Sequence, residues 1–433
     1  MLKLPVSIRT RRFFRCLILS AAFLSLAACG SSSQGTAVSE TSAATSGETA
    51  VSETSSAGAG TSQKEVPVIT VVTDTVDDQN ASDSSKTEDA AASSEAASSS
   101  GTASSSGETA PSVPAPDGTF TITFAGDILM DPGYAAGDAL TKRGAEGSFD
   151  EETLAIMRDA DLFIVNNEFA YTTRGTAVSK QYNFRADPAH ARILTDMGAD
   201  LVTLGNNHTY DYGEEGLLDT LDALKAVGVP WIGAGKDLEE ASRPAVYTIG
   251  GFRISVVNAE SILFNANPPA QCAGEGKSGT FDCYRPEMLY EAVRKAKEQS
   301  DFCIAILHWG SEGKSTPNEK QLTLSRGAAE AGADLIIGGH PHVLQTIGRV
   351  GTVPVVYSLG NYLFHSGTYD TGVIQAVFRP SEKRLETLRF VPMQCRNMKV
   401  FTLSGSEKER LLKYMRNLSS DVQIDDDGVI SLP

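Results

Sequence analysis

The sequence predicts an α/β fold of stacked sheets covered by helices. Two regularities predict it. From about Thr119 to Pro433, short apolar runs alternate with stretches of helical periodicity, the pattern of sheets with helices packed on them. Residues able to do chemistry also fall just after the apolar runs: Asp127, Glu168, Asn207 and His208, His308, His340 and His342, and Asn361. The carboxyl ends of strands are where α/β sheets bind ligands, so loops there can gather residues distant in sequence into one site.

The elements follow in chain order. Thr119–Ala125 alternates and predicts a strand ending at Gly126-Asp127. Glu151–Asp159 predicts a helix, and Leu162–Val165 a buried strand ending at Asn166-Asn167-Glu168. Ala189–Met197 is helical, with Gly198 as its C-cap. Leu201–Leu204 is a strand, and Glu215–Val227 a helix stopped by Gly228. Val246–Ile249 and Ile254–Val257 flank Gly250-Gly251, a hairpin signal. Then come a helix over Pro286–Gln299, a strand over Cys303–Leu307, a helix over Leu322–Ala331 and a strand over Leu335–Ile337. Val353–Leu359 predicts a strand ending at Gly360-Asn361; Gly372–Phe378 and Arg384–Phe390 predict two more, and Glu407–Leu418 a closing helix.

Two segments precede this region. The first fifteen residues carry five basic residues and no acid, and an apolar run from Cys16 to Ala28 follows. At about thirteen residues the run is short for a membrane span and suits a signal-peptide core. It ends in Leu26-Ala27-Ala28-Cys29-Gly30, which resembles the lipobox of bacterial lipoproteins, with Cys29 acylated at the mature N-terminus. Residues 1–29 are read as this signal, and the expected location is the extracellular face of a bacterial cell membrane, held there by lipid. An ordinary cleaved signal followed by an incidental Cys is the alternative.

Residues 30–118 are dominated by Ser, Ala, Thr and Gly, lack aromatic residues and carry a net −11. Such a segment buries too little apolar surface to offset ordering entropy and is predicted to be disordered. Its β-prone stretch Val66–Val76 is the one exception. As a coil, the linker has a reach of roughly 50 Å. Residues 119–433 are long enough for a large core and carry about −11 themselves. That charge argues against a nucleic-acid partner. An anionic substrate would need local positive charge from metal or Arg.

The chain has six Cys. Cys272 and Cys283 flank a Gly-rich polar segment and are candidates for a disulfide outside the cell. Cys303 reads as core, Cys395 has no assigned role, and none shows metal-ligand spacing. The six His are 190, 208, 308, 340, 342 and 365. Any one alone is more often structural. Asp, Glu, Asn and three His together at strand ends are hard to explain as packing, and they are ligand types for Mn²⁺, Fe, Zn²⁺ or Co²⁺.

At these residues the chain resembles a known family. The series Gly126-Asp127, Asn166-Asn167-Glu168, Gly205-Asn206-Asn207-His208-Thr209-Tyr210-Asp211-Tyr212-Gly213, His308-Trp309-Gly310-Ser311-Glu312, Gly339-His340-Pro341-His342 and Ser358-Leu359-Gly360-Asn361 resembles the bacterial capsule-synthesis CapA (poly-γ-glutamate synthesis PgsA) family, a branch of the calcineurin-like metallophosphatases. The likeness runs from about Phe120 to Phe364. It implies a four-layer α/β/β/α sandwich with a two-metal site between the sheets. Asp127 and His342 would bind the first metal, Glu168 would bridge, and Asn207, His308 and His340 would bind the second. His208 would be a non-ligand acid or charge stabiliser facing the substrate.

The first motif of metallophosphatases in general is Asp-x-His, whereas this chain reads Asp127-Ile128-Leu129. The first metal therefore loses one expected ligand, with Asp131 a candidate substitute. Arg185 is a candidate anion contact, with a surface ion pair as the alternative. Asp211 is a candidate to orient His208. Asn361 and Glu312 are candidate substrate contacts, and His365 is a candidate to approach the site. His190 and Trp309 read as structural. Three functions remain open: a surface component of capsule or poly-γ-glutamate production with hydrolase-like chemistry, working on an acidic polymer or with capsule machinery; a phosphoesterase on an extracellular phosphorylated substrate; and a non-catalytic polymer-binding scaffold.

Overall fold

The computed structural model describes residues 118–262 and 271–433. The lipobox-like string at Cys29, the expected linker up to residue 117 and the Val66–Val76 stretch lie outside the described residues. Among those described, no helix is long and apolar enough to cross a membrane.

Two sheets form the centre. In the first, the Phe120–Ile128 strand pairs parallel with Leu162–Asn167, which pairs parallel with Leu201–Thr203. On its other side it meets Tyr369–Arg379 antiparallel, and that strand meets Arg384–Arg396. In the second, the Ala245–Ile249 and Phe252–Glu260 hairpin leads into Phe302–His308, Leu335–Gly339 and Val353–Val356, all parallel, with Ile347–Val350 antiparallel at the edge.

Successive strand residues face opposite ways, and the apolar runs divide accordingly. Leu162 and Ile164 join the core between the sheets, where Ile254, Val256, Ile304, Ile306, Leu335 and Ile337 meet them. Phe163 and Val165 join a second core under the helices, with Met157, Leu194 and Leu217. Cys303, Ala305 and Leu307 point the other way, to Leu289, Val293, Leu324 and Ala328 on the helices Pro286–Glu298 and Glu319–Glu330. Three cores between four layers make the α/β/β/α stack that the resemblance implied.

Local signals place the helices. Asp150 caps Glu151–Arg158 by accepting from the Thr153 N–H at 2.8 Å. Asn318 and Gln321 form a capping box at Glu319–Glu330. Gly198 and Gly228 take left-handed conformations as C-caps.

Three expectations need correction, and one helix was missed. The expected 189–197 helix is a 3-10 turn over Pro188–Ala191 followed by a helix over Arg192–Met197, because Pro188 and the Asp187 cap start a tighter turn. The helix Ala135–Ser148 had no reading in the sequence; it contains three glycines after its first turn begins and is kinked at Gly144, which masks its period. The expected Val353–Leu359 strand ends at Val356. Residues 357–360 cross to the first sheet, where Asn361–Leu363 pairs parallel with Phe120–Ile128. Finally, Cys272 and Cys283 are free thiols. The segment folds so that Cys272 pairs with Thr280 while Cys283 lies in the helix-side core, its thiol donating to the Glu260 carbonyl at 3.1 Å.

Candidate metal centre

The two sheets end at the same place. Parallel register sets Asp127 level with Asn166 in the first sheet and His308 level with Gly339, just before His340, in the second. Backbone approach is close there. A side chain at Gly126 would meet the Gly360 carbonyl oxygen at 2.0 Å, and one at Gly339 would meet Asp127 Oδ1 at 2.9 Å. Glycine is what allows the crossing chain and the His340 loop to press against Asp127. His340 and His342 both hold positive φ, 94° and 60°, conformations in which a non-glycine residue is strained and which occur where a site fixes them.

Buried amides build the loops. Asn206 Oδ1 accepts from the backbone N–H groups of His208 (3.0 Å) and Thr209 (3.1 Å), folding the turn that presents Asn207 and His208. Its Nδ2 donates to Asn166 Oδ1 at 3.0 Å and to the Asn167 carbonyl at 2.9 Å. Asn166 Nδ2 donates onward to Asp127 Oδ1 at 2.8 Å. Asn258 joins the sheets, accepting from the Gly205 N–H at 2.7 Å and donating to the Ile306 carbonyl at 3.0 Å.

Six predicted ligands come together on this frame. Ligand atoms of Glu168, His308 and His340 all lie within 4.8 Å of one another, and so do those of Asp127, Glu168 and His342. Glu168 belongs to both groups. Asn207 Oδ1 is 2.8 Å from His308 Nε2, which is 3.3 Å from Glu168 Oε1. Asn361 Oδ1 is 2.8 Å from His342 Nδ1, so this predicted substrate contact instead holds a histidine.

Burial and mutual contact shift every titratable group of the cluster. Burial raises Asp127, but the His342 hydrogen bond and the nearby His308 hold it at about 2. Burial pulls His308 down to about 4 and His340 well below its usual value, so both are neutral with lone pairs available. Burial and the charge of Asp127 push Glu168 well up. Burial would lower His342, yet Glu168, Asp127 and Asn361 lift it to about 9. Glu168 Oε1 and His340 Nδ1 are buried without a hydrogen bond. Buried polar atoms without partners are costly, and a divalent ion among carboxylates and imidazoles would satisfy them. The donor set therefore fits the implied metal, with Mn²⁺, Fe, Zn²⁺ and Co²⁺ all compatible.

Leu129, where a first-motif His would stand, is 1% exposed and packs in the helix-side core. Asp131 does not replace it. Its two oxygens accept from the backbone N–H groups of Gly133 (2.7 Å) and Arg185 (2.8 Å), so it ties two loops together.

Beside the ligands, His208 Nδ1 lies 2.8 Å from Asp211 Oδ2, the orienting contact expected from sequence. Phe184 packs on the His208 ring, with centroids 4.2 Å apart. Arg185 follows it, exposed, its guanidinium 4.6 Å over the Tyr212 ring. Other candidates stay apart. Glu312 is exposed and, among the described residues, has no hydrogen-bond or ion-pair partner. His365 is exposed and accepts from the Gly367 N–H. Trp309 is buried, donating to the Tyr357 carbonyl at 2.9 Å. Sequence reasoning missed Asn166 and Lys180. Asn166 stood within a quoted motif without a role, and Lys180 lies in a loop with no strand-end signal.

The chain is similar to several known proteins. The chain is 28% identical over 270 residues to the PGA biosynthesis protein CapA of Bacillus subtilis (strain 168), covering 60% of this chain and 68% of that protein. It is 26% identical over 266 residues to the capsule biosynthesis protein CapA of Bacillus anthracis, covering 59% of this chain and 63% of that protein. It thus spans about two thirds of the length of these relatives. Among solved structures, a novel phosphatase from Mycoplasma pneumoniae is similar at 13% identity and a TM-score of 0.40, over 64% of this chain and 94% of that one. The family model for the bacterial capsule synthesis protein PGA_cap matches residues 121–366, more than half of the chain and every residue of the centre described above, and the chain belongs to that family.

Proposed function

We propose that the protein is a metal-dependent, hydrolase-type component of capsule production of the poly-γ-glutamate kind. In this reading it works at the extracellular face of the bacterial membrane on an anionic polymer or its phosphorylated precursor. The observation that carries the reading is the pair of three-residue ligand groups sharing buried Glu168. The family's capsule description and the CapA relatives support the biological setting, and the lipobox-like string at Cys29 supports the location.

Asp127, Glu168 and His342 would hold one cation, and Glu168, Asn207, His308 and His340 a second. When bound, such a pair supplies Lewis-acid charge to an ester or acyl oxygen and lowers the pKa of water. The chain's own residues do the rest. Glu168 and Asp127 set the negative charge that selects cations, and Asn166 and Asn361 orient Asp127 and His342. His208, backed by Asp211, is the group that protonates a leaving oxygen. Arg185 on the rim offers a planar cation to a carboxylate or phosphate of the substrate.

A second reading, a polymer-binding scaffold without turnover, is favoured by Leu129: the first cation has no imidazole from that strand. One experiment separates the readings. Purified protein is loaded with Mn²⁺, Fe²⁺ or Zn²⁺, and bound metal and hydrolysis of a generic phosphate ester and of polyglutamate are measured for wild type and His308→Ala. Metal and hydrolysis in wild type, both lost in His308→Ala, are expected. Metal with polymer binding but no hydrolysis selects the scaffold, and no bound metal overturns the metal centre.

A further inference from the structure

The rim of the centre carries an exposed aromatic face beside an unpaired guanidinium. Tyr182 is 51% exposed, as much as any large apolar side chain among the described residues. Its ring lies near-parallel to Phe184, with centroids 6.4 Å apart and 22° between planes. Phe184 is buried and packs on the His208 ring at 4.2 Å. The exposed ring therefore stands within two ring spacings of the loop that presents Asn207. Tyr134 and Phe364 meet Phe184 edge-on at 4.9 and 5.6 Å, and Phe364 packs on His342 at 4.6 Å. Those contacts fix the plane on which Tyr182 rests.

Arg185 is exposed on the same short segment. Among the described residues its guanidinium has no ion pair and no hydrogen bond, and it lies 4.6 Å over the Tyr212 ring. The backbone beneath is held at three points. Phe184 N–H donates to Asp211 Oδ2 at 2.7 Å, Arg185 N–H to Asp131 Oδ2 at 2.8 Å, and Ala170 N–H to the Phe184 carbonyl at 3.2 Å. Tyr182 and Arg185 are thus mounted on a fixed segment, which lowers the cost of ordering them around a ligand.

The two side chains offer complementary things. A guanidinium laid flat on a ring keeps its N–H edges free to grip a carboxylate with two parallel bonds. A tyrosine ring gives a rigid apolar face at little entropic cost. The surrounding domain carries about −11, so an anion is repelled everywhere except where such a cation stands open. A simple phosphate ester would use the guanidinium and leave the Tyr182 face empty. A γ-linked glutamate unit carries two chain methylenes and one carboxylate side by side, which uses both.

We infer that Tyr182 and Arg185 form a subsite for one unit of an acidic polypeptide of the polyglutamate kind, with its methylenes on the ring and its carboxylate in the guanidinium fork. This rests on the proposed polymer role, and it makes the rim the part of the site that selects the polymer.

The test is equilibrium binding of a short poly-γ-glutamate oligomer to the purified protein by calorimetry. It is run with Mn²⁺ and again after chelation, so that turnover cannot hide binding. A hyaluronate oligosaccharide serves as the competing acidic polymer. Tyr182→Ala should weaken polyglutamate binding by about 3- to 10-fold, while Tyr182→Phe, which keeps the ring, should bind like wild type. Arg185→Gln should weaken it by about tenfold or more and flatten its salt dependence, which Tyr182→Ala should not do. Tyr414, 39% exposed on the helix Gly405–Leu418, is the control, and Tyr414→Ala should change nothing. Polyglutamate bound equally by wild type, Tyr182→Ala and Arg185→Gln overturns the subsite and leaves the polymer role standing. An equal loss in Tyr414→Ala also overturns the subsite. Wild type that binds no polyglutamate overturns both. Tighter binding of hyaluronate, lost in the same two variants, overturns the assignment to a polypeptide.

Discussion

Replacing Leu129 by His puts an imidazole two residues after Asp127, the spacing that metallophosphatases in general use for their first metal. The structure predicts that the change will not build that ligand. Leu129 is 1% exposed and packs among Met130, Leu140 and Phe163 on the helix side of the first sheet. Its backbone N–H donates to the Leu363 carbonyl at 2.9 Å, which holds the residue in place. The substitution forfeits the burial of one Leu, about 1.5–3 kcal/mol. It also puts a polar ring among apolar neighbours, at about 1–3 kcal/mol if no partner is found. The expected loss of stability is therefore about 3–5 kcal/mol. Urea unfolding of wild type and Leu129→His gives the loss directly, and bound Mn²⁺ per chain shows whether a ligand was gained. A variant as stable as wild type that binds an additional ion would refute the reasoning, because position 129 would then face the site.

Four further outcomes follow from the same structure. Glu168→Gln keeps the shape of the one residue shared by both ligand groups and should abolish binding of every ion that wild type retains after gel filtration; normal metal content would rule out a shared Glu168. Mn²⁺ at about 100 times its Kd should stabilise wild type by about 2.7 kcal/mol and leave Glu168→Gln unmoved, as read by thermal shift. Arg410 makes a bidentate pair with Asp370, at 2.6 and 2.8 Å. Burial raises Asp370, but the Arg410 and Gln394 hydrogen bonds bring it below its usual 3.8. A depressed carboxylate stabilises the fold above its unfolded pKa and loses that contribution as pH falls through the folded one. With both partners part-exposed, Arg410→Gln should cost about 0.5–1 kcal/mol at pH 7 and less at pH 3; equal losses at both pH values would contradict this. Cys272 and Cys283 are free, so reductant should leave the unfolding midpoint unchanged, whereas a disulfide closing that loop would be worth about 3 kcal/mol.

The strand ends were readable because each carries its chemistry in local sequence. An apolar run followed by Asp127, by Asn167-Glu168 or by His308 announces both the strand and its exposed end, and parallel register then brings the ends level without further information. What was unreadable depends on contacts between segments far apart. Lys180 meets His208 and Asp211 across nearly thirty residues from a loop with no periodic signal. Asn361 was expected at the end of a strand and instead begins one in the opposite sheet, because residues 357–360 cross between the layers. The disulfide reading failed similarly: spacing and a Gly-rich interval say that a loop closes, not which face each thiol takes. Cys283 turned into the core beneath the helices.

The origin of the candidate ligands gives the fold a direct bearing on the proposed chemistry. Asp127, Glu168 and Asn207 come from the first sheet and its loops, while His308, His340 and His342 come from the second. Each three-residue group mixes the two. Neither sheet can therefore hold an ion in this arrangement alone, and the centre exists only while the sheets stay in register. Asn258 fixes that register by bonding Gly205 from its place beside His308's strand, and the apolar core between the sheets supplies the adhesion. An ion bound by both layers would reinforce the contact that created its site, since binding to the folded state alone adds to stability. The same geometry explains why the missing first-motif His does not dismantle the centre. The second sheet delivers His342 to Asp127 across the interface, so the first ligand group keeps an imidazole even though its own strand provides none.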